Sequence, residues 1–333
     1  MQVEDISHVG ECRRAAQLLA KTHEFNETLV GKIGIVATEL TNNLVKHAGR
    51  GELLLQAIED GLSVTLEMMT LDRGPGMAVE QCMRDGYSTI GTPGTGLGAI
   101  SRLSTLFDAY SVRGQGTVAV SRIQKCEAKS SSSPPTKRGP EWGAICVAVA
   151  GEVECGDTWR IAGRNGVTAV LVVDGLGHGP LAATASQAAA AMFCARPFDA
   201  PLETMQHLHR TLTGARGAAG ACAVFDEAKS KLVYCGIGNI SGTVVSAASS
   251  RGLLSHNGTL GVQISRQQQF EHECRDNDRL VMHSDGMSAR WSLSDYPGLF
   301  MRHAAVIAGV LYRDHARARD DATVVVVSGT HRE

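Results

Sequence analysis

The stretch Val170-Leu171-Val172-Val173-Asp174-Gly175-Leu176-Gly177-His178-Gly179 decides how the second half of this chain is interpreted. Four aliphatic residues lead directly into an acid, and three glycines follow within five positions. A continuous apolar run rich in β-branched residues predicts a buried strand. Glycine lets the chain turn sharply and brings backbone carbonyls close to whatever the acid binds. The stretch therefore predicts a strand that presents one carboxylate in a tight turn, which fits a metal ligand as well as an ordinary Asp-Gly turn.

Acidic residues recur in similar settings elsewhere in the second half. Asp157 follows a glycine, Asp285 follows a second apolar run within His283-Ser284-Asp285-Gly286, and the pair Asp320-Asp321 precedes the closing strand. Any one of these acids alone is explained by a strand-end cap or a turn, but the four settings together favour a hard-cation site. Oxygen ligands favour Mg²⁺ or Mn²⁺ over zinc, and the sequence offers no cluster of His and Cys for a zinc site.

Length and composition predict a globular protein with two domains. The chain has 333 residues, which is enough for two cores, and 43% apolar with 20% charged residues is typical of folded protein. The net charge is −2, and neither half has the basic excess that nucleic acid or a membrane surface requires. The sequence contains no run of membrane-spanning length and begins with a polar, acidic segment. Nine cysteines without a Cys-x-x-Cys pair indicate reduced thiols, so we expect a cytoplasmic protein of bacterial type.

The first half begins with two predicted helices. A segment from Glu11 to His23 and another from about Glu27 to His47 carry apolar residues at helical spacing. On the second helix, Glu39, Asn43 and His47 recur at i, i+4 and i+8, which places them on nearly one side. This polar stripe fits either a solvated helix face or a ligand-binding face.

Glycine-rich turns follow these helices. Two alternating segments joined at Asp60-Gly61 predict a β-hairpin, and Asp72-Arg73-Gly74-Pro75-Gly76 comes directly after it. The run Gly91-Thr92-Pro93-Gly94-Thr95-Gly96-Leu97-Gly98 opens a predicted helix from Ala99 to Phe107, and Gly116-Thr117 precedes a last strand. Such loops suit phosphate binding, because free N–H groups and the helix dipole face the anion.

Four elements follow in order: the helix with Glu39 and Asn43, the turn at Asp72-Arg73-Gly74-Pro75-Gly76, the glycine-rich run that ends at Gly98, and Gly116-Thr117 before a strand. This order resembles the GHKL ATPases, and the short length of the domain resembles the anti-sigma serine kinase branch of that family, the RsbT-like proteins. The resemblance covers roughly residues 8–123 and implies an α/β sandwich that binds ATP with Mg²⁺. It implies that Asn43 ligates the Mg²⁺ and that Glu39 is the general base. It also implies that Asp72, assisted by Thr117, accepts from the adenine amino group. The other nucleotide-site residues that it implies are Gly74 and Gly76 in the adenine pocket, Gly94, Thr95, Gly96 and Gly98 in the lid and phosphate loop, and His47. A capping or packing role explains His47 equally well.

A serine-rich, proline-bearing segment separates the two halves. Residues 125–140 are poor in apolar groups and predict a flexible linker. We therefore expect domains at residues 1–124 and 141–333. In the second domain, strands dominate and helices are predicted near residues 181–195, 201–212 and 299–311, so the whole chain is predicted to be α+β.

The acidic set of the second half resembles the PPM phosphatases, specifically the SpoIIE/RsbX branch, over about residues 141–330. The resemblance implies a β-sandwich flanked by helices that holds two Mn²⁺ or Mg²⁺ ions. Asp174 would bridge both ions, and the Gly175 carbonyl would complete one shell. The second ion would be held by Asp285 and by one of the adjacent acids Asp320 and Asp321, of which we favour Asp320. Asp157 would act through a bound water or bind directly. The sequence alone assigns no basic residue to grip the phosphate.

Together the two resemblances imply opposed activities in one chain, as in partner-switching systems. The N-terminal half would phosphorylate a Ser or Thr of a STAS-domain antagonist or scaffold protein, and the C-terminal half would remove that phosphate. Two alternatives stay open: the N-terminal half binds nucleotide and a partner, such as a sigma factor or STAS protein, without transferring phosphate, or it is a sensor that gates the phosphatase. Kinases of this branch often pair through their first strands and helices, so the sequence also leaves a homodimer open.

Overall fold

The computed structural model describes residues 1–60, 63–79, 96–125, 140–275 and 277–328, and of Asp60 only the backbone. The chain forms two compact units, Met1–Pro134 and Pro135–Glu333. The mixed helix and sheet content of both units confirms the predicted α+β class. Among the described helices, none is both long and apolar enough to cross a bilayer.

The first unit is a five-stranded sheet covered by helices. The helices are α1 (Ile6–Thr22), α2 (Glu27–Asn43) and α3 (Gly96–Leu103), and a π-helical turn, Leu44–Ala48, extends α2. The strands are β1 (Gln2–Val3), β2 (Gly51–Asp60), β3 (Ser63–Leu71), β4 (Leu106–Val112) and β5 (Gly116–Gln124), in the order β1-β2-β3-β5-β4 with antiparallel neighbours. The apolar faces of α1 and α2 pack on Leu53, Leu66 and Met68 of the sheet.

Two features of this unit differ from the predictions. The helix after the glycine-rich run ends at Leu103, and Phe107 belongs to β4 rather than to the helix. The Ser104 hydroxyl donates to the Ile100 carbonyl at 2.7 Å and so competes with the next helical turn. The helix that carries Glu39 becomes a π-turn at Leu44, which changes its phase before His47. The predicted pairing of the two hairpin strands is confirmed from Glu52↔Leu71 to Asp60↔Ser63, while the turn residues 61 and 62 lie outside the described residues.

The second unit is a sandwich of two mainly antiparallel sheets with helices on both outer faces. Its helices are α4 (Pro180–Ala195), α5 (Pro201–Thr211) and α6 (Ala304–His315). Its strands are β6 (Glu141–Val147), β7 (Asp157–Arg164), β8 (Val167–Gly175), β9 (Ala218–Asp226), β10 (Lys231–Ile237), β11 (Ser241–Val245), β12 (Ser250–Leu253), β13 (Ser255–His256), β14 (Gly258–Thr259), β15 (Gln263–Ile264), β16 (Phe270–Glu273), β17 (Arg279–His283) and β18 (Ala322–Ser328). One sheet runs β13-β10-β9-β8-β7, with β16 also on β10, and the other runs β12-β11-β17-β18-β6. The one parallel pair that the described strands show is β10 with β13.

Strand β8 explains why residues 169–173 are apolar at every position. Val170 and Val172 face the core between the two sheets, whereas Ala169, Leu171 and Val173 face α4 and α5. A strand that is buried on both faces needs apolar side chains throughout rather than in alternation. Its end therefore places Asp174 at the rim of a fully packed layer.

The outer helices are positioned by small residues. Gly143 of β6 lies against α6, where a Cβ atom would come within 2.1 Å of the Ala305 Cα.

The last predicted helix begins at Ala304 rather than near residue 299, because residues Leu299–Met301 form a separate 3₁₀ turn and His303 caps the helix by accepting from the Ala305 N–H at 3.1 Å.

Candidate functional site

Two predicted acids lie directly opposite each other in the first sheet of the sandwich. Asp157 begins β7 and Asp174 is the penultimate residue of β8, and the antiparallel register pairs them. Residues opposite each other in such a pair carry Cβ atoms about 4.5–5.5 Å apart. Just beyond the pair, the Gly175 N–H donates to the Gly156 carbonyl at 3.1 Å. Backbone pairing alone therefore brings these two carboxyl groups together.

The pKa values show that the other predicted acids gather around this pair. Burial and then neighbouring negative charge raise the pKa of Asp174 to about 8. Burial raises the pKa of Asp157 to about 7, although the Ser284 hydroxyl donates to its Oδ2 at 2.6 Å. The pKa of Asp320 is also raised, first by burial. The acids whose charges act on Asp174 are Asp157, Asp285, Asp320 and Asp321. The fold thus concentrates five carboxyl groups from four separate segments.

Asp320 and Asp321 are adjacent in sequence but differ in their surroundings. Asp321 is 2% exposed, and its two carboxylate oxygens accept the backbone N–H groups of Val149 at 2.7 Å and Gly156 at 2.6 Å. Asp320 is half-buried, and its Oδ1 accepts the N–H of Asp321 at 2.9 Å. Asp321 therefore holds the loop before β7, while Asp320 is the more accessible of the two.

Sequence reasoning missed two residues that support these acids. Asn239, in the turn between β10 and β11, donates from Nδ2 to Asp285 Oδ2 at 2.6 Å. Ser284 links Asp157 to β18, because its hydroxyl oxygen also accepts the Thr323 N–H at 3.1 Å. The Gly238-Asn239 pair at a strand end was a signal for the turn, but nothing local in the sequence links it to Asp285.

The glycines after Asp174 allow close packing of the loop. A Cβ atom at Gly175 would lie 2.4 Å from the Ala182 carbonyl oxygen and 3.0 Å from that of Gly156. Gly177 has φ +83°, and the Leu176 N–H donates to the Gly217 carbonyl at 3.1 Å. His178 Nδ1 lies 2.7 Å from Glu152 Oε1, which ties this loop to the connection between β6 and β7.

The donor chemistry of this cluster fits a hard divalent cation. The residues offer carboxylate oxygens and a backbone carbonyl, which are the ligands that Mg²⁺ and Mn²⁺ take. Burial first, and then the negative charge of neighbouring acids, raises the pKa values of Asp157 and Asp174, and a bound cation would offset both effects. Within the described residues, no three His, Cys, Asp or Glu side chains already stand in ligand geometry. The assignment of a divalent cation to this cluster therefore rests on the types of donor atom and on the proximity of the acids to one another.

In the first unit, Asp72 and Thr117 lie together at the end of β3. Asp72 Oδ1 accepts the N–H groups of Gly74 at 2.8 Å and Thr117 at 3.1 Å, and the Asp72 N–H donates to the Thr117 carbonyl at 2.9 Å. Gly76 has φ +72°, and a Cβ atom there would lie 2.3 Å from the Val112 carbonyl oxygen. Asp72, Gly74 and Thr117 thus form one hydrogen-bonded group, and Gly76 packs against the end of β4.

Glu39 and Asn43 meet the start of α3. A Cβ atom at Gly96 would lie 3.2 Å from Glu39 Oε2 and 3.8 Å from Asn43 Oδ1. Gly98 is buried within α3, whereas His47 is exposed on the π-turn. Gly94 and Thr95 lie outside the described residues. The structure therefore gathers the predicted Glu39, Asn43 and Gly96 at one helix N-terminus, and His47 follows on the exposed π-turn.

Comparison with known families agrees with this division of the chain. Residues 3–122 match the family described as histidine kinase-like ATPase domain, and residues 164–329 match the family of stage II sporulation protein E (SpoIIE). The serine/threonine-protein kinase RsbT of Bacillus subtilis (strain 168) is 32% identical over 106 residues, which span 32% of this chain and 80% of RsbT.

Two solved structures share the fold of part of the chain. One, from work on the bacterial stressosome as a modular system adapted to control secondary messenger signalling, has a TM-score of 0.53 and 28% identity and covers 57% of this chain and all of its own. The other, RsbX in complex with magnesium, has a TM-score of 0.53 and 18% identity over 58% of this chain and 97% of its own. At 18% identity, the similarity to RsbX is evidence for the fold and not for the function.

Proposed function

The chain belongs to the family of partner-switching regulators in which an RsbT-like, GHKL-type kinase domain is joined to a SpoIIE-type PPM phosphatase domain, and on that premise we propose that it both adds and removes a phosphoryl group on a partner protein. The chain is a protein serine/threonine phosphatase through its SpoIIE-type half. The observation that carries the proposal is the pairing of Asp157 with Asp174 amid three further acids.

In the phosphatase half, the acids would hold two Mg²⁺ or Mn²⁺ ions. Asp174, on which the charges of all the other acids act, would hold both ions, the Gly175 carbonyl would complete the shell of one, and Asp285 and Asp320 would hold the second ion. Bound divalent cations supply the positive charge that polarises a phosphate and activates water for in-line attack. Ser284 fixes the Asp157 Oδ2, so Asp157 would bind an ion or orient the water. Asn239 keeps the Asp285 carboxylate in position.

In the kinase half, the same logic assigns Asp72 to nucleotide binding and Glu39 to chemistry. Asp72, held by two backbone N–H groups, would accept from the adenine amino group, with Thr117 beside it. Asn43 would ligate the Mg²⁺ of ATP, and α3 would face the phosphates with its N-terminus. Glu39 lies beside Asn43 at Gly96, where a carboxylate can take the proton of an acceptor hydroxyl.

We further propose that the substrate of both halves is a small STAS-domain protein that carries the acceptor Ser or Thr. The similarity to RsbT and to a stressosome structure supports this class. The direct test is to incubate the full chain with a synthetic phosphoserine peptide from such a protein, with Mn²⁺, Mg²⁺ or a chelator. We expect release of phosphate only with the cations, whereas equal release in chelator would refute the metal assignment.

A further inference from the structure

Two thiols lie in contact beside the acidic cluster. The Sγ atoms of Cys146 and Cys155 are 3.4 Å apart, and Cys146 Sγ is 3.5 Å from the Asp157 backbone oxygen. Cys146 is on β6, Cys155 comes shortly before β7, and these are the edge strands of the two stacked sheets. Both cysteines are half-buried. The pair therefore lies at an edge that a small oxidant can reach.

We propose that Cys146 and Cys155 are a modification site that closes to a reversible disulfide on exposure to a hydroperoxide, and that this disulfide switches off the phosphatase half. The inference rests on the proposed phosphatase function and adds an input to it. Because only one of two opposed activities is lost, oxidation shifts the partner protein toward its phosphorylated form.

The chemistry balances with one hydroperoxide for each disulfide. A thiolate sulfur attacks the outer oxygen of the hydroperoxide, the O–O bond breaks, and the leaving oxygen takes a proton to become water or an alcohol. The sulfenic acid formed on that cysteine is then attacked by the second sulfur. The S–S bond forms, the S–O bond breaks, and the oxygen leaves as water. The two thiols lose two electrons and two protons, and the hydroperoxide gains them.

Closing the disulfide requires the two sulfur atoms to approach each other. A disulfide holds its sulfur atoms about 2.05 Å apart, which is about 1.3 Å closer than the two thiols lie here. Cys146 is held in the sheet by the register Thr323↔Cys146 between β18 and β6. Cys155 lies in the connection between β6 and β7, outside any strand. The movement therefore falls on this connection and on the residues that follow Cys155.

The residues that follow Cys155 are closely packed. Gly156 donates its N–H to Asp321 Oδ2 at 2.6 Å and accepts the Gly175 N–H at 3.1 Å. A Cβ atom at Gly156 would lie only 2.7 Å from the Ala182 Cβ. In so close-packed a setting, a displacement of Cys155 is transmitted rather than absorbed. It disturbs the contacts that align Asp157 with Asp174, and cation binding weakens with them.

The test uses the full chain with Mg²⁺, which has no redox chemistry of its own, and hydrogen peroxide as the oxidant. Residues 139–160 form one tryptic peptide that contains both cysteines. Alkylation after oxidation, followed by mass spectrometry, therefore reports the disulfide as a peptide that lacks two hydrogens and both alkyl groups. Phosphatase turnover on p-nitrophenyl phosphate and Mg²⁺ affinity by calorimetry are measured on the same samples. Cys146→Ser, Cys146→Ala and Cys155→Ser are compared with Cys194→Ser, which alters an exposed cysteine on α4.

We expect peroxide to lower turnover and Mg²⁺ affinity of the parent by about tenfold or more, the size of effect that disturbed supporting contacts have on metal sites. Dithiothreitol should restore both. The Cys146 and Cys155 variants should resist peroxide, and Cys194→Ser should behave as the parent. Equal loss in Cys155→Ser and parent, or loss without the disulfide peptide, overturns the inference. If the reduced parent shows no turnover, the proposed function fails instead, and the disulfide peptide with its effect on Mg²⁺ affinity still decides the switch.

Discussion

The carboxylate of Asp321 accepts the Gly156 N–H at 2.6 Å, across 165 residues of sequence. Together with the bond from the Val149 N–H, this contact fixes the connection that leads into β7 and Asp157. With the described part of the chain, the neighbouring Asp320 makes one local hydrogen bond, in which its carboxylate accepts the Asp321 N–H. Two adjacent acids therefore have separable roles, one in holding a loop and one in facing the cluster.

These separate roles predict different effects for two isosteric substitutions: Asp321→Asn should mainly lower stability, and Asp320→Asn should mainly lower phosphatase activity. Asp321→Asn replaces one acceptor oxygen by an N–H₂ group that faces a backbone donor, which should lower the free energy of unfolding by about 1–3 kcal/mol. Asp320→Asn should leave that free energy almost unchanged and cost more phosphatase activity. Tryptophan fluorescence during urea unfolding measures the stability, because Trp142, Trp159 and Trp291 all lie in the second unit. A more active Asp320→Asn than Asp321→Asn, at equal folded fraction, would reverse the assignment.

The raised pKa values of Asp157 (about 7) and Asp174 (about 8) predict how stability depends on pH without metal. An unfolded Asp has a pKa of about 3.9. Between these values the folded chain binds more protons than the unfolded chain, so stability is highest in acid and falls as pH rises toward 8. In chelator, the urea midpoint of the tryptophan signal should fall between about pH 4 and about pH 8, with a shallower fall in Asp174→Asn. An identical slope in parent and variant would show that these carboxyls do not carry the effect.

Asn239 should affect cation affinity through its hydrogen bond to Asp285. Removing its Nδ2–H donor by Asn239→Ala frees the Asp285 carboxylate to rotate, and loss of such a supporting contact typically lowers metal affinity by about 10–100-fold. Calorimetric titration with Mn²⁺ measures this directly. Asn257→Ala, at another exposed asparagine of the same unit, is the matched control. Unchanged Mn²⁺ affinity in Asn239→Ala would remove Asn239 from the site.

In the kinase half, Asp72→Asn should weaken ATP binding far more than Glu39→Ala. An asparagine keeps an Oδ1 that can accept from Gly74 and Thr117, so the loop should survive, whereas the mismatch at the adenine should cost about 1–3 kcal/mol. Calorimetry with ATP and Mg²⁺ tests both variants, and Glu27→Gln, on the same helix as Glu39, is the control. Absence of nucleotide binding in the parent would reduce this half to a partner-binding module.

The sequence predicted most of the cluster because turn chemistry is local. An apolar run that ends in Asp174-Gly175 identifies a strand end without knowledge of its neighbour, and the same holds for Asp285 and Asp320. The partners of these acids are not local: Asn239 and Asp285 are 46 residues apart, and only the order β11-β17 brings them together. The contact of Cys146 with Cys155 likewise depends on two sheet edges meeting.

Elsewhere the sequence pattern was ambiguous. Leu106 and Phe107 continue the apolar spacing of the preceding helix, so the start of β4 could not be separated from it by periodicity. The π-turn at Leu44–Ala48 has no signature in residue type, and it altered the direction in which His47 projects. At both places the spacing of apolar residues does not distinguish between the alternatives.

The measurement that tests opposed activities most directly is phosphosite mass spectrometry of a STAS-domain partner incubated with ATP, Mg²⁺ and Mn²⁺. The parent chain is compared with Asp174→Asn and with the double variant Glu39→Gln/Asp174→Asn. We expect phosphorylated Ser or Thr to accumulate with Asp174→Asn, to stay low with the parent and to be absent with the double variant. A partner that binds the chain and nucleotide yet is never phosphorylated, even with Asp174→Asn, would contradict the account.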